Sequence, residues 1–294
     1  MKTKRIQLIL DTDIGPDCDD VGALALLHIL ARKHPTDFLA MTNCTSNPYA
    51  CGTIDAVNRC YGHPNIPIGT YEKSGFLEDG ASQKYNRYIT LNYENAYRPP
   101  TTPPGAISVL KKALRGAENK SVTFLAIGPL NNVANLIRDS EGYNLVKEKV
   151  SCLVTMSTGL VKPEWNVVMD IPAAQTVFDK WPTPIVISVY ETGESIITGR
   201  SFGSMSPYHP LPVAYRLHAD GDEKRGRMSW DLTAAWYALA GTEPFFYLSS
   251  PCNVTIDSSG LAIFQDDDQG KCRILHNRMH PEEIAQHIDS MWTE

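Results

Sequence analysis

The sequence predicts an α/β protein with a mostly parallel open sheet and helices on both faces. Three observations lead there. Short apolar runs rich in β-branched residues alternate with helical patterns along most of the chain, as a sheet with crossover helices requires. Each run is bounded by Gly, Pro, Asn or Asp. Val21, Leu24, Leu27 and Ile29 recur at helical spacing directly after the first run.

In order, the candidate strands are Arg5–Asp11, Asp37–Thr42, Ile66–Thr70, Val122–Ile127, Val150–Met156 and Ile185–Val189. The candidate helices run near 19–33, 50–61, 105–116, 131–139, 172–180, 231–240 and 281–291. Two stretches break the alternation. Residues 71–104 hold Gly75, Gly80, four prolines and tyrosines at 71, 85, 88, 93 and 97, and residues 199–229 show little periodicity. Irregular insertions of that length in an α/β domain are usually functional loops. Near the C-terminus, Asn253–Asp257 and Cys272–His276 flank a polar turn at Asp266–Gly270 and read as a hairpin, followed by the last helix. No linker divides the chain, so residues 1–294 are read as one domain.

A formal charge of -6 argues against a general nucleic-acid binder but leaves room for a small uncharged ligand. No apolar run approaches the roughly 20 residues that cross a bilayer. The basic start, Met1 to Arg5, leads into an apolar stretch too short for a secretory signal, so a cytoplasmic protein is expected. Seven cysteines without a CxxC pair suit reduced thiols better than a disulfide framework or a zinc site.

The most informative segment is Leu8-Ile9-Leu10-Asp11-Thr12-Asp13-Ile14-Gly15-Pro16-Asp17-Cys18-Asp19-Asp20-Val21, with five carboxylates in the ten residues 11–20. Charges so close repel one another. The N-terminus of the following helix relieves part of this; a bound cation relieves more, and all-oxygen ligands select calcium or magnesium over zinc. The plainer reading makes Asp17 and Asp19 helix caps and leaves the others solvated. An EF-hand loop is ruled out: counted from Asp11, position 6 is Pro16 and position 12 is Gly22, where Gly and Glu are required. The opening also resembles haloacid-dehalogenase-type phosphatases, whose pattern wants Thr or Val where this chain has Gly15.

In five blocks the chain resembles the nucleoside hydrolase (inosine–uridine-preferring) family. The first is the acidic segment, similar to Asp-x-Asp-Pro-Gly-x-Asp-Asp, with Ile14 for Pro and two extra residues before Asp19-Asp20. Next come Thr42-Asn43-Cys44-Thr45-Ser46-Asn47 and Leu125-Ala126-Ile127-Gly128-Pro129-Leu130-Asn131-Asn132. Glu164-Trp165-Asn166 with Asp170, and Ser229-Trp230-Asp231 where the family has His-Asp, complete the set. Together they cover roughly residues 5–240 in the family's order.

The resemblance implies a Rossmann-like core and metal-dependent hydrolysis of an N-ribosyl bond, with a small nucleoside or riboside as partner. It implies calcium held by Asp13, Asp20, Asp231 and the backbone carbonyl of Ile127. Asp13 would be the base for a water that calcium acidifies, a sensible pairing because calcium acidifies water less than zinc does. The implied substrate set is Asp19, Asn47, Met156, Glu164, Trp165, Asn166 and Trp230. Of these, Asp19, Asn47, Glu164 and Asn166 hold the ribose hydroxyls, while carboxylates near the ring stabilise an oxocarbenium-like transition state. A homodimer or homotetramer is also implied.

Trp230 departs from the family pattern, because tryptophan cannot protonate a leaving base as the family's His is thought to do. It could stack on the base instead. Tyr208, His209, Tyr215 and His218 in the 199–229 stretch are the candidate acids, unless the leaving group is already activated, as nicotinamide is. Asp17 has no counterpart in the shorter motif; it could cap the helix, reach the metal through water or touch the ligand. The competing functions are a non-catalytic protein that keeps the metal–ribose cradle and, less well supported, a phosphatase.

Overall fold

The first apolar run pairs on both edges, which places it near the middle of the sheet. In the computed structural model, which describes residues 5–80, 83–222 and 224–292, it forms β1 (Ile6–Thr12). The basic start at residues 1–4, and residues 81–82, 223 and 293–294, lie outside the described residues. The other strands are β2 (Thr36–Asn43), β3 (Ile68–Thr70), β4 (Val122–Ala126), β5 (Val150–Met156), β6 (Ile185–Ser188), β7 (Ile197–Thr198), β8 (Arg227–Met228), β9 (Phe246–Leu248), β10 (Cys252–Ile256), β11 (Ala262–Asp266) and β12 (Cys272–Asn277). The helices are α1 (Asp19–Lys33), α2 (Ala50–Cys60), α3 (Asn86–Asn92), α4 (Ala106–Gly116), α5 (Asn131–Arg138), α6 (Ser140–Lys149), α7 (Trp165–Met169), α8 (Ile171–Lys180), α9 (Tyr190–Gly193), α10 (Pro210–His218), α11 (Trp230–Ala240) and α12 (Pro281–Met291).

The main sheet runs β11-β10-β12-β6-β5-β4-β1-β2-β3, with β9 beside β12. From β3 to β12 every neighbouring pair is parallel, while β9, β10 and β11 join antiparallel. The inner order β3-β2-β1-β4-β5-β6 reverses direction between β1 and β4, where open α/β sheets bind ligands at the carboxyl ends of their strands.

Side chains of β1 alternate between two apolar layers. Leu8 and Leu10 point into a core shared with α1, α2, α10, α11 and α12. Ile9 points into one built with α4, α5, α6 and α8. Burying each such side chain contributes roughly 1.5–3 kcal/mol relative to exposure. Helix α1 is buried continuously from Asp19 to Leu30 and packs along α11, so both helix N-termini meet at one point above β1. Among the described residues, no helix is long and apolar enough to cross a membrane.

Three sequence expectations need correction. The 71–104 and 199–229 stretches each contain a helix, α3 and α10. The first has only seven residues, and in the second Pro210 and Pro212 disguise the apolar spacing. The C-terminal hairpin joins β10 to β11, with β12 meeting β10 only at Cys252 and Cys272. Two polar turns compete in that stretch. The earlier one closes, because the Asp257 carboxylate accepts from Ser259 N and Leu261 N and Gly260 adopts φ +87°. The later turn delivers β12 to a parallel place beside β6.

Candidate active site

Between β1 and α1 the chain must turn sharply and keep several carboxylates on one side. Gly15 makes the turn at φ +142°, where a Cβ would lie 1.9 Å from Gln83 Oε1. Thr12 Oγ1 accepts from Ile14 N at 3.0 Å and donates to the Asp20 carboxylate, tying strand end to helix start. Beneath the loop, Asp11 Oδ1 accepts from Thr42 Oγ1 and, at 2.9 Å, from Asn132 Nδ2. Asn131 donates to Cys44 O at 2.9 Å, so β2 and α5 brace the same floor.

Above this floor is a cavity of about 480 Å³. Asp13, Asp19 and Asp20 enter it after β1, Ile127 after β4, Met156 at the end of β5, and Tyr190 after β6. Glu164, Trp165 and Asn166 enter at the start of α7, Trp230 and Asp231 at the start of α11. Asp19, Asp20 and Asp231 each offer an oxygen within 4.8 Å of the others. Asp231 N donates to Asp19 Oδ2 at 3.1 Å. Burial drives the carboxyls of Asp19, Asp20 and Asp231 well above the ordinary carboxylate range, and neighbouring carboxylates push them further. Burial also raises Asp13 to about 7, and the charges of Asp17 and Asp11 push the same way. Crowded, buried, oxygen-only donors of one sign fit a hard divalent cation.

Opposite this cluster, Glu164 caps α7, accepting from Asn166 N at 2.9 Å and Val167 N at 3.3 Å. Asn166 Nδ2 spans the carbonyls of Ile127 at 3.3 Å and Met156 at 3.1 Å, which stitches β4 and β5 to the ligand wall. Burial lifts the Glu164 carboxyl from 4.5 to about 8. The folded protein therefore holds this proton where the unfolded chain releases it. The resulting stability is present below about pH 4.5 and is lost as pH rises through about 8. In chelator, the melting temperature of Glu164→Gln is expected to fall less between about pH 5 and about pH 8 than that of the wild type. Parallel pH profiles for the two proteins would contradict this.

Gly193 sets the position of Asp231. A Cβ at residue 193 would stand 2.4 Å from Trp230 Cα and 2.7 Å from Trp230 N, backbone atoms that cannot give way without moving the first turn of α11. Gly193→Ala is expected to cost about 1–3 kcal/mol of stability by overpacking and about 10²-fold in kcat through misplaced ligands. Thermal unfolding and steady-state kinetics check it; two unchanged values would mean α11 tolerates the shift.

Of the residues singled out in the sequence, Asp13, Asp19, Asp20, Ile127, Met156, Glu164, Trp165, Asn166, Trp230 and Asp231 line this one cavity. Asn47 does not. Its Nδ2 donates to Gln83 Oε1 at 2.8 Å and its Oδ1 accepts from Tyr49 N at 2.8 Å, because the 71–104 insertion lays Gln83 against it. None of the four candidate acids lines the cavity either. Tyr208 is 79% exposed, and Tyr215 is buried against Thr198. His209 caps α10 by accepting from Leu211 N, and His218 lies 3.5 Å from Asp17.

Asp17 reaches the cavity, but its carboxylate is taken by Arg227, a partner that no spacing rule predicts. Tyr190, Lys162 and Arg227 also escaped notice. Arg227 stands three residues before Trp230, inside a stretch whose lack of periodicity hid it. Trp230 Nε1 donates to Tyr190 O at 3.1 Å, and the two rings sit 5.4 Å apart.

Comparison with known proteins gives a family model described as inosine-uridine preferring nucleoside hydrolase, matching residues 8–291. No curated protein sequence matches. Among solved structures, the chain is similar to an inosine-uridine preferring nucleoside hydrolase from Bacillus anthracis, at 16% identity and TM-score 0.72, covering 98% of both chains. It is also similar to a purine-preferring ribonucleoside hydrolase from Gardnerella vaginalis, at 16% identity and TM-score 0.72 over 97% of both. A type III effector protein, XopQ, solved with adenosine diphosphate ribose, is similar at 13% identity and TM-score 0.73, over 98% of this chain and 93% of that one. At these identities the structural likenesses establish the fold.

Proposed function

The chain belongs to the inosine-uridine preferring nucleoside hydrolase family, and from that premise we propose that it hydrolyses the N-glycosidic bond of a ribonucleoside or related N-riboside with calcium and Asp13 as its means of activating water. One observation carries the reading: carboxylates from the two ends of the chain's long central stretch, Asp13 and Asp231, face the same cavity as Glu164 and Asn166.

In this reading Asp13, Asp20, Asp231 and the Ile127 carbonyl hold the ion. When bound, it supplies positive charge that offsets the carboxylates and acidifies a neighbouring water. Asp13 takes the proton of the water that attacks the anomeric carbon. Asp19, Glu164 and Asn166 accept from or donate to the ribose hydroxyls, and Met156 and Trp165 close the wall behind the sugar. As positive charge develops on the ribose ring, the surrounding carboxylates stabilise it electrostatically. Asn47, the remaining ribose-hydroxyl candidate, would reach the sugar only by giving up its bond to Gln83. The Trp230 ring, which packs with the Tyr190 ring and the Arg227 guanidinium, would stack on the base beside them.

The test is release of free ribose from a library of nucleosides, in chelator and then with added calcium or magnesium. Calcium-dependent release from at least one nucleoside supports the reading. Calcium and ribose binding without product makes the chain a binding protein instead, a reading favoured only by Trp230. The same proposal takes the chain as one domain, assembled as a homodimer or homotetramer in the cytoplasm, which sedimentation and fractionation would check.

A further inference from the structure

Two cationic side chains line the cavity, and they are held differently. Lys162 is exposed, with Nζ 3.8 Å from the centroid of the Tyr190 ring. Arg227 is clamped. Its Nε lies 2.9 Å from both oxygens of Asp17, its Nη2 bonds the same carboxylate, and its guanidinium carbon sits 5.1 Å from the centroid of the Trp230 ring. A carboxylate on one side and an aromatic ring on the other fix the guanidinium plane. Nη1 touches the Met228 sulfur at 3.7 Å, a weak acceptor, and so keeps N–H capacity for a ligand. The insertion that lengthens the acidic loop supplies Asp17, and β8, paired with β7, supplies Arg227. Trp230 has its one polar atom committed to Tyr190 O.

We propose that Arg227 is the leaving-group residue of this enzyme, holding the negative charge that a departing base acquires. This rests on the N-ribohydrolase reading above. As the C1′–N bond breaks, its electron pair passes to the base nitrogen and spreads onto a ring carbonyl oxygen, which Nη1 of Arg227 binds. Water adds to C1′, and its proton goes to the Asp13 carboxylate. The base anion takes a proton from solvent on release and Asp13 returns its proton to solvent, leaving ribose and neutral base as products. A donor already fixed in place stabilises developing charge without reorganising. Arg227 remains charged throughout, so it binds and does not protonate. A base with a carbonyl acceptor gains from this contact, and a cationic pyridinium leaving group does not.

The experiment uses the full chain with calcium and four substrates: uridine, inosine, nicotinamide riboside and 4-nitrophenyl β-D-ribofuranoside, whose leaving group is already stable as an anion. Arg227→Met is expected to lower kcat on uridine or inosine by about 10²–10³-fold, the usual loss for one charge-stabilising donor, and on the nitrophenyl riboside by no more than about 10-fold. Arg227→Lys should recover only part of the nucleoside rate, having lost the planar fork. Nicotinamide riboside, with its cationic leaving group, should lose less than uridine or inosine in Arg227→Met. Equal losses on nucleoside and nitrophenyl riboside make Arg227 structural and overturn the assignment, as does no loss on either. A substrate-selective loss in Tyr190→Phe, with Arg227→Met unaffected, gives the role to the Tyr190 phenol. Wild-type activity confined to the nitrophenyl riboside sinks the Arg227 assignment while leaving ribosyl hydrolysis standing. Wild-type inactivity on every riboside overturns the underlying reading and this proposal with it.

Discussion

Asp13→Ala is expected to lower kcat by about 10²–10⁴-fold on every substrate, the range that a general base contributes. Asp13 is the first residue past β1, and its backbone and carboxylate press on Gly128, where a Cβ would lie 2.7 Å from Asp13 N and 2.8 Å from Oδ1. That close approach lets the β4 loop fix the carboxylate at the cavity floor. Burial raises its carboxyl in the metal-free protein to about 7, and a bound cation would favour the ionised form that accepts the proton. Because Asp13 is also placed among the ion's ligands, the assay must separate two losses. Rates measured at saturating calcium remove the binding defect and leave the chemical one. A variant that regains the wild-type rate in high calcium would take the base role away from Asp13, and one at normal rate throughout would remove both roles. The fold is expected to survive, since deleting a buried, repelled carboxylate relieves as much as it removes.

Asp231→Asn is expected to have opposite effects on two measurements. Its carboxyl is pushed up by burial first and then by Asp19, Asp20 and Asp13. Neutralising it at constant shape relieves that repulsion, so the metal-free protein should melt a few degrees higher, as about 1 kcal/mol does in a chain of this size. The same change should weaken calcium binding by about 100-fold or more, since even groups behind a ligand are worth 10–100-fold. Calcium should then lose most of its power to raise the melting temperature. Differential scanning calorimetry with and without calcium reads both. Unchanged calcium affinity contradicts the ligand assignment whatever the kinetics show.

Much of this was legible in the sequence, for identifiable reasons. The strands of the inner sheet announce themselves as apolar runs, and the long helices by spacing, because their burial is nearly complete. The acidic cluster was legible because five charges crowd one turn, which demands an explanation. Other features were not. Helix α3 is too short for periodicity to register, and Pro210 and Pro212 disguise that of α10. The bond between Asn47 and Gln83 joins residues 36 apart in the chain, a contact that no local pattern encodes. The Asp17–Arg227 pair spans 210 residues, and neither partner carries a motif of its own. Sequence pattern finds residues that act beside their neighbours; it loses those defined by a distant partner.

The hydrogen bond from Asp231 N to Asp19 closes a loop of 212 residues. A chain emerging from the ribosome therefore carries Asp19 and Asp20 without Asp231 until α11 has been made, and a stretch rich in like charges must wait open. Once α11 docks along α1, an ion taken up there draws on the docked form alone. Cation uptake should thus trail tertiary assembly during refolding, and the lag between the two signals would time the last long-range closure of the molecule.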